Sequence, residues 1–310
     1  MRLLHRRFSL WLALTTTCAL GLVAACSDDP RDPARLPDDG VLDGGRSRDT
    51  GRANDAPPPD PEDSGPSEGR VYAHTTDTLY LFEPLSRNLT LIGKFSCLNN
   101  GEVVIDIAVD RTGGMYATTF SRFLSVDPIT ATCNQIALGS YPNSLSFVPA
   151  GTVDPAKEAL VGYAPAEGSV ISDQYVRIDT TTGAMTRLGD LNTGSIIKYK
   201  SSGDIISLIQ DGNKAYATVK YQLADAGPID LLAEVDPEKG AIKRIIGSTN
   251  ETDLFGFGYW AGKGYGFSDN GRIIEIDMTN GSSVVVKTLT VDGGIGAWYG
   301  AGVTTQAPVR

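Results

Sequence analysis

Histidine is scarce in this 310-residue chain, which has only His5 and His74. A histidine-based metal site needs more partners than that, and a Ser-His-Asp triad would have little choice of base. No Gly-x-Ser-x-Gly elbow occurs. The stretch Gly262-Lys263-Gly264-Tyr265-Gly266 imitates a phosphate loop, yet it joins two strand-like runs and opens no helix, so it reads as a hairpin turn. Positive charge is also short: 27 basic residues face 37 acidic ones, for a net charge of −10. Without a basic stripe, nucleic acid is excluded as a partner. Helical periodicity is nearly absent, with a turn or two expected only around Asp154–Leu160. No catalytic set emerges, so a non-enzymatic role is the expectation.

Apolar residues do gather once at length. Arg2, Arg6 and Arg7 precede an uncharged stretch from Phe8 to Ala25, interrupted by Thr15, Thr16 and Thr17. Small residues end it where a stop-transfer segment would carry charge, the pattern of a secretory signal. Its last four residues, Val23-Ala24-Ala25-Cys26, resemble the lipobox of bacterial lipoproteins. That resemblance implies residues 1–25 as signal peptide, cleavage before Cys26, and a diacylglycerol thioether plus an N-acyl chain such as palmitate on Cys26. Several buried chains hold a protein to a bilayer stably where one does not, at about 0.8 kcal/mol per methylene. Ser27 stands where an Asp would mark inner-membrane retention, so the resemblance favours the outer membrane of the cell envelope. An ordinary signal peptide with an incidental cysteine, or a buried core helix, is the alternative.

The four cysteines divide accordingly. Cys18 leaves with the signal, as does His5, and Cys26 is lipidated. Cys97 and Cys133 remain in an oxidising compartment, where a bridge between them is expected and two reduced thiols are the alternative. Residues 26–69 then form a tether. From Ser27 to Gly69 it carries twelve acidic residues against five arginines, a net of −7, with abundant Pro and Gly. Such a segment cannot bury enough apolar surface to offset its ordering entropy, so it reads as a disordered spacer.

Residues 70–310 have another texture. Short runs of Val, Ile, Leu, Tyr, Phe and Thr alternate with Gly, Asp, Asn and Pro clusters, as strands and turns do. Five segments share a hairpin whose first strand ends at Glu83, Asp127, Asp179, Asp236 or Asp277. Four residues later come Arg87, Ala131, Gly183, Gly240 and Gly281, and a second strand follows. The carboxylate can cap the turn's amides, and the later residue supplies the positive φ. One such acid per unit, at a turn, is structural and not a metal set. Upstream of each hairpin lies a strand with Tyr before a small residue: Tyr72-Ala73, Tyr116-Ala117, Tyr163-Ala164, Tyr216-Ala217 and Tyr265-Gly266. A further apolar strand precedes four of these, over Val103–Val109, Ser144–Val148, Asp204–Ile209 and Leu254–Trp260. The first unit lacks it, and Ile295–Val303 has the texture to supply it.

Four strands per unit, with the first unit completed from the far end, is the logic of a β-propeller. The fold expected is all-β, a ring of five four-stranded blades closed by pairing of the terminal strands. Six blades or a β-sandwich are the alternatives. The run Ile105-Asp106-Ile107-Ala108-Val109-Asp110-Arg111-Thr112-Gly113-Gly114-Met115-Tyr116, followed by a Val-Asp-Pro hairpin, resembles NHL- and YVTN-type propeller repeats. This implies architecture and hardly any function.

Two places could carry function. Asp106, Asn143, Asp204 and Asp253, with Asp292 near them, lie at or near the starts of first strands. There they could converge on Ca²⁺, or serve as acid and base; solvated turn acids are the bland reading. Tyr259, Trp260, Trp298 and Tyr299 could form an aromatic surface for sugar or peptide, or else the buried seam that latches the ring. His74 reads as a packed or surface imidazole. The expectation is therefore a monomeric, membrane-anchored envelope lipoprotein whose propeller binds or scaffolds a protein or glycan. The alternative is a Ca²⁺-dependent envelope hydrolase or lactonase using the channel-mouth carboxylates.

Overall fold

Short β-branched and aromatic runs punctuated by turn residues set the chain into twenty-two strands, here described from a computed structural model covering residues 70–223 and 228–310. The segments expected as signal peptide and tether, with Cys26 between them, lie outside these residues. The first blade begins with β1 (Val71–His74), β2 (Thr78–Glu83) and β3 (Asn88–Lys94). The second holds β4 (Asp106–Val109), β5 (Met115–Thr118), β6 (Arg122–Val126) and β7 (Cys133–Leu138). The third holds β8 (Leu145–Val148), β9 (Ala159–Pro165), β10 (Ser172–Ile178) and β11 (Met185–Asp190). In the fourth are β12 (Tyr199–Leu208), β13 (Lys214–Tyr221), β14 (Ile229–Val235) and β15 (Ile242–Thr252). The fifth contains β16 (Leu254–Trp260), β17 (Lys263–Ser268), β18 (Arg272–Asp277) and β19 (Ser283–Thr288). A small hairpin, β20 (Thr290–Val291) with β21 (Gly294–Ile295), precedes β22 (Gly300–Gly302).

Closure occurs as the repeat requires. β22 pairs antiparallel with β1, Tyr72 opposite Gly302 and His74 opposite Gly300, so the first sheet reads β22-β1-β2-β3. The result is a five-bladed β-propeller. The first strands stand side by side around its axis, β12 between β8 and β16, and β22 between β16 and β4.

Each blade is an antiparallel meander, so all first strands start on one face and end on the other. We call these the mouth face and the base. Links between blades, and loops from second to third strands, lie on the mouth face; hairpin turns from third to fourth strands lie at the base. Arg70 leads into β1 at the base. After β22 the C-terminal tail runs across the base too: Ile209 donates its N–H to the Thr305 carbonyl (3.0 Å) and Ala261 to that of Pro308 (2.6 Å). Val303, Thr304, Thr305 and Ala307 are buried there.

The base turns follow the repeated pattern closely. Asp127 Oδ1 accepts from the N–H of Ile129 (2.7 Å), Asp179 Oδ1 from Thr182 (2.8 Å), Asp236 Oδ1 from Glu238 (2.8 Å) and Asp277 Oδ1 from Thr279 (2.8 Å). Four residues on, φ is positive in all five, including Arg87 at 56° and Ala131 at 58°, where no glycine is present. A second rule accompanies the first. Every fourth strand carries a β-bulge that tucks an extra apolar residue inward: Ile92, Ile136, Leu188, Ile246 and Val286. Bulges bend and twist a strand, which suits an outer strand wrapping its neighbour.

The core lies in the seams between blades, because both faces of each inner strand meet a neighbouring sheet. The closing seam is the most aromatic. Trp298, fully buried, sets edge-on against Tyr80 (5.4 Å) and Phe267 (5.5 Å), and Phe82 fits between Tyr265 and Phe267. One expectation fails: the segment around Asp154–Leu160 is not helical. Asp154 Oδ1 accepts from the N–H groups of Ala156 (3.0 Å) and Lys157 (3.2 Å), a local turn that competes with helix, and Ala159 already starts β9. The sole helical turn among the described residues is a 3₁₀ turn at Ile209–Asp211.

Candidate functional site

Asp106 opens β4, and Asp204 sits at a bulge within β12, where the inner edges of first strands face the axis. These edges leave backbone N–H groups that no further strand can accept. Asp106 Oδ1 accepts from Ile107 (2.7 Å), and its Oδ2 accepts from Leu145 of the third blade (2.5 Å). Asp204 Oδ2 accepts from Phe257 of the fifth blade (2.9 Å) and Ala301 of the first-blade closing strand (3.0 Å). Two carboxyl groups thereby tie together all five first strands. Both side chains are fully buried and lie close to each other, and Asp204 Oδ1 is left without a hydrogen-bond partner. Burial raises both pKa values, and the neighbouring Asp204 charge raises Asp106 further.

His74 joins this axial group. Its Nδ1 donates to the Thr75 carbonyl (2.7 Å), which leaves Nε2 as the bare lone pair, buried without a partner. Burial lowers its pKa to about 4, so it is neutral at pH 7. A Cβ on Gly300 would stand 2.5 Å from both His74 Nε2 and Asp106 Oδ1. Only glycine lets β22 pass between them.

The other residues expected to converge there do not join the axial pair. Asn143 is exposed and accepts from Ser172 Oγ (3.2 Å). Asp253, at φ 53°, pairs with Lys220, which also faces buried Asp230 at 3.7 Å. Burial raises Asp230 to about 6, with Lys220 opposing. Asp292 sits at the tip of the β20–β21 hairpin, at φ 50°. The structure thus brings Asp106 and Asp204 together and leaves Asn143, Asp253 and Asp292 apart from them. Among the described residues no three His, Cys, Asp or Glu side chains are grouped to hold a metal ion.

Above the axial pair, the mouth opens into an apolar pocket of about 220 Å³ lined by Ile105, Phe120, Asn143, Phe255 and Tyr299. Ile105, Asn143 and Tyr299 precede first strands and Phe255 begins one, so the ring itself converges them. Phe120 comes from the β5–β6 loop and is 71% exposed. The Phe255 and Tyr299 rings lie 6.3 Å apart, and the Asn143 amide supplies a directional polar group. Phe120 also borders a second depression with Asn99, Asn100 and Glu102.

The loop carrying those residues is stapled. Cys97 and Cys133 form a disulfide, Cα atoms 5.3 Å apart, joining the link after β3 to the start of β7. Glu102 is clamped by Arg122, which also donates from Nη2 to the Cys97 carbonyl (2.9 Å). The Arg122 guanidinium holds the Glu102 carboxyl down to about 2.

The four aromatic residues singled out from the sequence are divided. Trp298 and Tyr259 are buried in the core, Trp260 stands at the base end of β16 near Pro84 and Leu85, and Tyr299 lines the mouth. Phe120 and Phe255 went unnoticed in the sequence. Phe120 follows the Tyr strand of its repeat directly, in a loop too short to suggest anything beyond a turn.

No protein-family model and no curated protein matches the sequence. Solved structures of similar shape include a protein of unknown function from Bacteroides caccae, at 10% identity and TM-score 0.38, covering 76% of this chain and 98% of that one. BamB from Moraxella catarrhalis aligns at 14% identity and TM-score 0.33 over 73% of this chain and 60% of its own. An auxiliary nutrient binding protein from Bacteroides thetaiotaomicron aligns at 12% and TM-score 0.38, over 70% of this chain and 54% of its own.

Proposed function

We propose that this chain is a lipid-anchored envelope protein whose propeller binds an extracytoplasmic protein or glycan at its mouth face. The observation that carries this reading is the pocket of Ile105, Phe120, Asn143, Phe255 and Tyr299. It is concave, largely apolar and furnished with one polar group, as binding sites are. Below it the axis is filled by carboxyls that accept from backbone N–H groups and so tie together all five first strands, an arrangement suited to holding a ring. The chain enters the propeller at the base, so the mouth-face loops are free of the point where the N-terminal segment joins. Exposed apolar side chains on mouth-face loops, among them Phe120, Val170, Ile196 and Ile295, extend the surface a partner could cover.

The anchor is tested by metabolic labelling with an alkyne palmitate analogue, which Cys26→Ala should abolish together with membrane retention. Binding is tested by crosslinking from intact cells through a photoreactive residue at position 120. Adducts should form there and not from a matching probe at Leu85 on the base. Equal labelling from both positions would remove the mouth face as the binding surface.

A further inference from the structure

A larger crevice lies on the same face, between the first blade and the β20–β21 hairpin. It encloses about 570 Å³, within the ~300–1,000 Å³ usual for small-ligand sites. Its walls carry Asp77, Lys94 and Asp292, hydroxyls of Thr75 and Thr76, and the rings of Tyr80 and Tyr299. Lys94 Nζ donates to Asp77 Oδ2 at 2.8 Å, while Asp77 Oδ1 accepts from Thr78 Oγ1 at 2.7 Å. Tyr80 is held in place edge-on against buried Trp298.

The balance of functional groups narrows what fits. Two carboxylates against one ammonium disfavour phosphate or sulfate, and the ammonium among them disfavours a lone cation. Backbone groups around the crevice are already paired: Phe95 N–H with Asp77 C=O (2.9 Å), Thr75 N–H with Thr78 C=O (3.0 Å), and Tyr299 N–H with His74 C=O (2.9 Å). An added peptide strand would find few partners there. What stays available is side-chain chemistry: a carboxylate beside an ammonium, hydroxyls that both donate and accept, and half-buried aromatic rings. Neighbouring hydroxyls on a sugar ring can give to Asp77 and accept from Lys94, while the ring's C–H face rests on a tyrosine.

We infer that the crevice between the first blade and the β20–β21 hairpin binds an uncharged carbohydrate through Asp77, Lys94, Tyr80 and Tyr299. This adds a second site to the mouth-face reading, adjoining the Phe120 pocket through the shared Tyr299.

The test titrates full-length lipidated protein, held in detergent, with neutral trisaccharides (maltotriose, cellotriose and N-acetylchitotriose), read by calorimetry and by tryptophan emission. At least one should bind, with Asp77→Asn and Lys94→Met each weakening it at least tenfold and Phe120→Ala leaving it unchanged. Both polar positions are solvent-accessible, and unchanged melting temperatures confirm that the variants remain folded. Failure of all three sugars to bind, or binding indifferent to Asp77→Asn and Lys94→Met, overturns the inference. Binding lost only in Phe120→Ala overturns it while leaving the mouth pocket in place. Tighter capture of a strand-forming peptide or a sulfated sugar through Lys94 also overturns it.

Discussion

The base and the mouth face of this ring are built by different rules. At the base, five turns place a residue of positive φ four positions after an acid, and in four of them that acid's carboxylate caps backbone amides. The mouth face has no such repeat. Its loops range from the tight β5–β6 connection to the long, disulfide-stapled link between the first two blades, and they hold exposed Phe120, Val170 and Ile196. Repetition on one face supplies a scaffold, and irregularity on the other supplies a surface particular to this chain.

The sharpest way to break that contrast is at the axis, which both faces share. Asp204→Ala strands the N–H groups of Phe257 and Ala301 and deprives Asp106 of its partner. A loss of about 3–5 kcal/mol is expected in urea denaturation, with Asp204→Asn costing clearly less. Equal tolerance of both substitutions would mean that the axial pair does not hold the ring.

Next in size is the mouth-face staple. Replacing Cys97 and Cys133 by Ser opens a loop of sequence separation 36 and should cost about 2–4 kcal/mol. Hydrogen exchange should rise in residues 95–105 and in the adjoining second-blade turn, and stay unchanged in the base turns of the other four blades.

pH offers a third handle. Asp106, Asp204 and Asp230 are raised, so the folded chain keeps protons that the unfolded chain has released, and stability falls as pH climbs from about 4 toward neutrality. His74 is lowered and works the other way between about 4 and 6.5, offsetting one of these groups. Glu102, held near 2, acts only below about pH 4.5, where its contribution is lost. Net stability should therefore be higher at pH 5 than at pH 7. Each unbalanced proton gives a slope of about 1.4 kcal/mol per pH unit. Asp230→Asn should flatten that slope, and a rise in stability from pH 5 to 7 would contradict the assignment.

The smallest effect belongs to a single base turn. Asp236→Ala removes two bonds to the Glu238 and Lys239 amides and should cost about 1 kcal/mol, since four sister turns remain. Chemical denaturation resolves this, and Phe120→Ala on the opposite face should leave stability nearly unchanged.

The same division explains what could be read from the chain. Turn acids, Tyr-small strands and closure by the segment around Trp298 all recur or complement one another, so blade number and ring closure were legible. The bulge residues Ile92, Ile136, Leu188, Ile246 and Val286 also recur, and went unread because a single extra apolar residue does not disturb strand alternation visibly. Asp106 and Asp204 were singled out at the axis, but their attachment to backbone amides one and two blades distant depends on ring geometry. Phe120 and Phe255 meet only because five first strands converge, which no local pattern encodes. The splitting of Trp260 from Tyr299 has the same origin: a strand's start and its end lie on opposite faces.

Because Tyr72 near the beginning of the propeller must wait for Gly302 near its end, the circle cannot shut while the polypeptide is still being synthesised. Until the last dozen residues arrive, β1 presents an open edge and the Trp298 socket is vacant. A chain with this connectivity stays unfinished through its whole synthesis, which makes the carboxyl-terminal segment the final step of ring assembly.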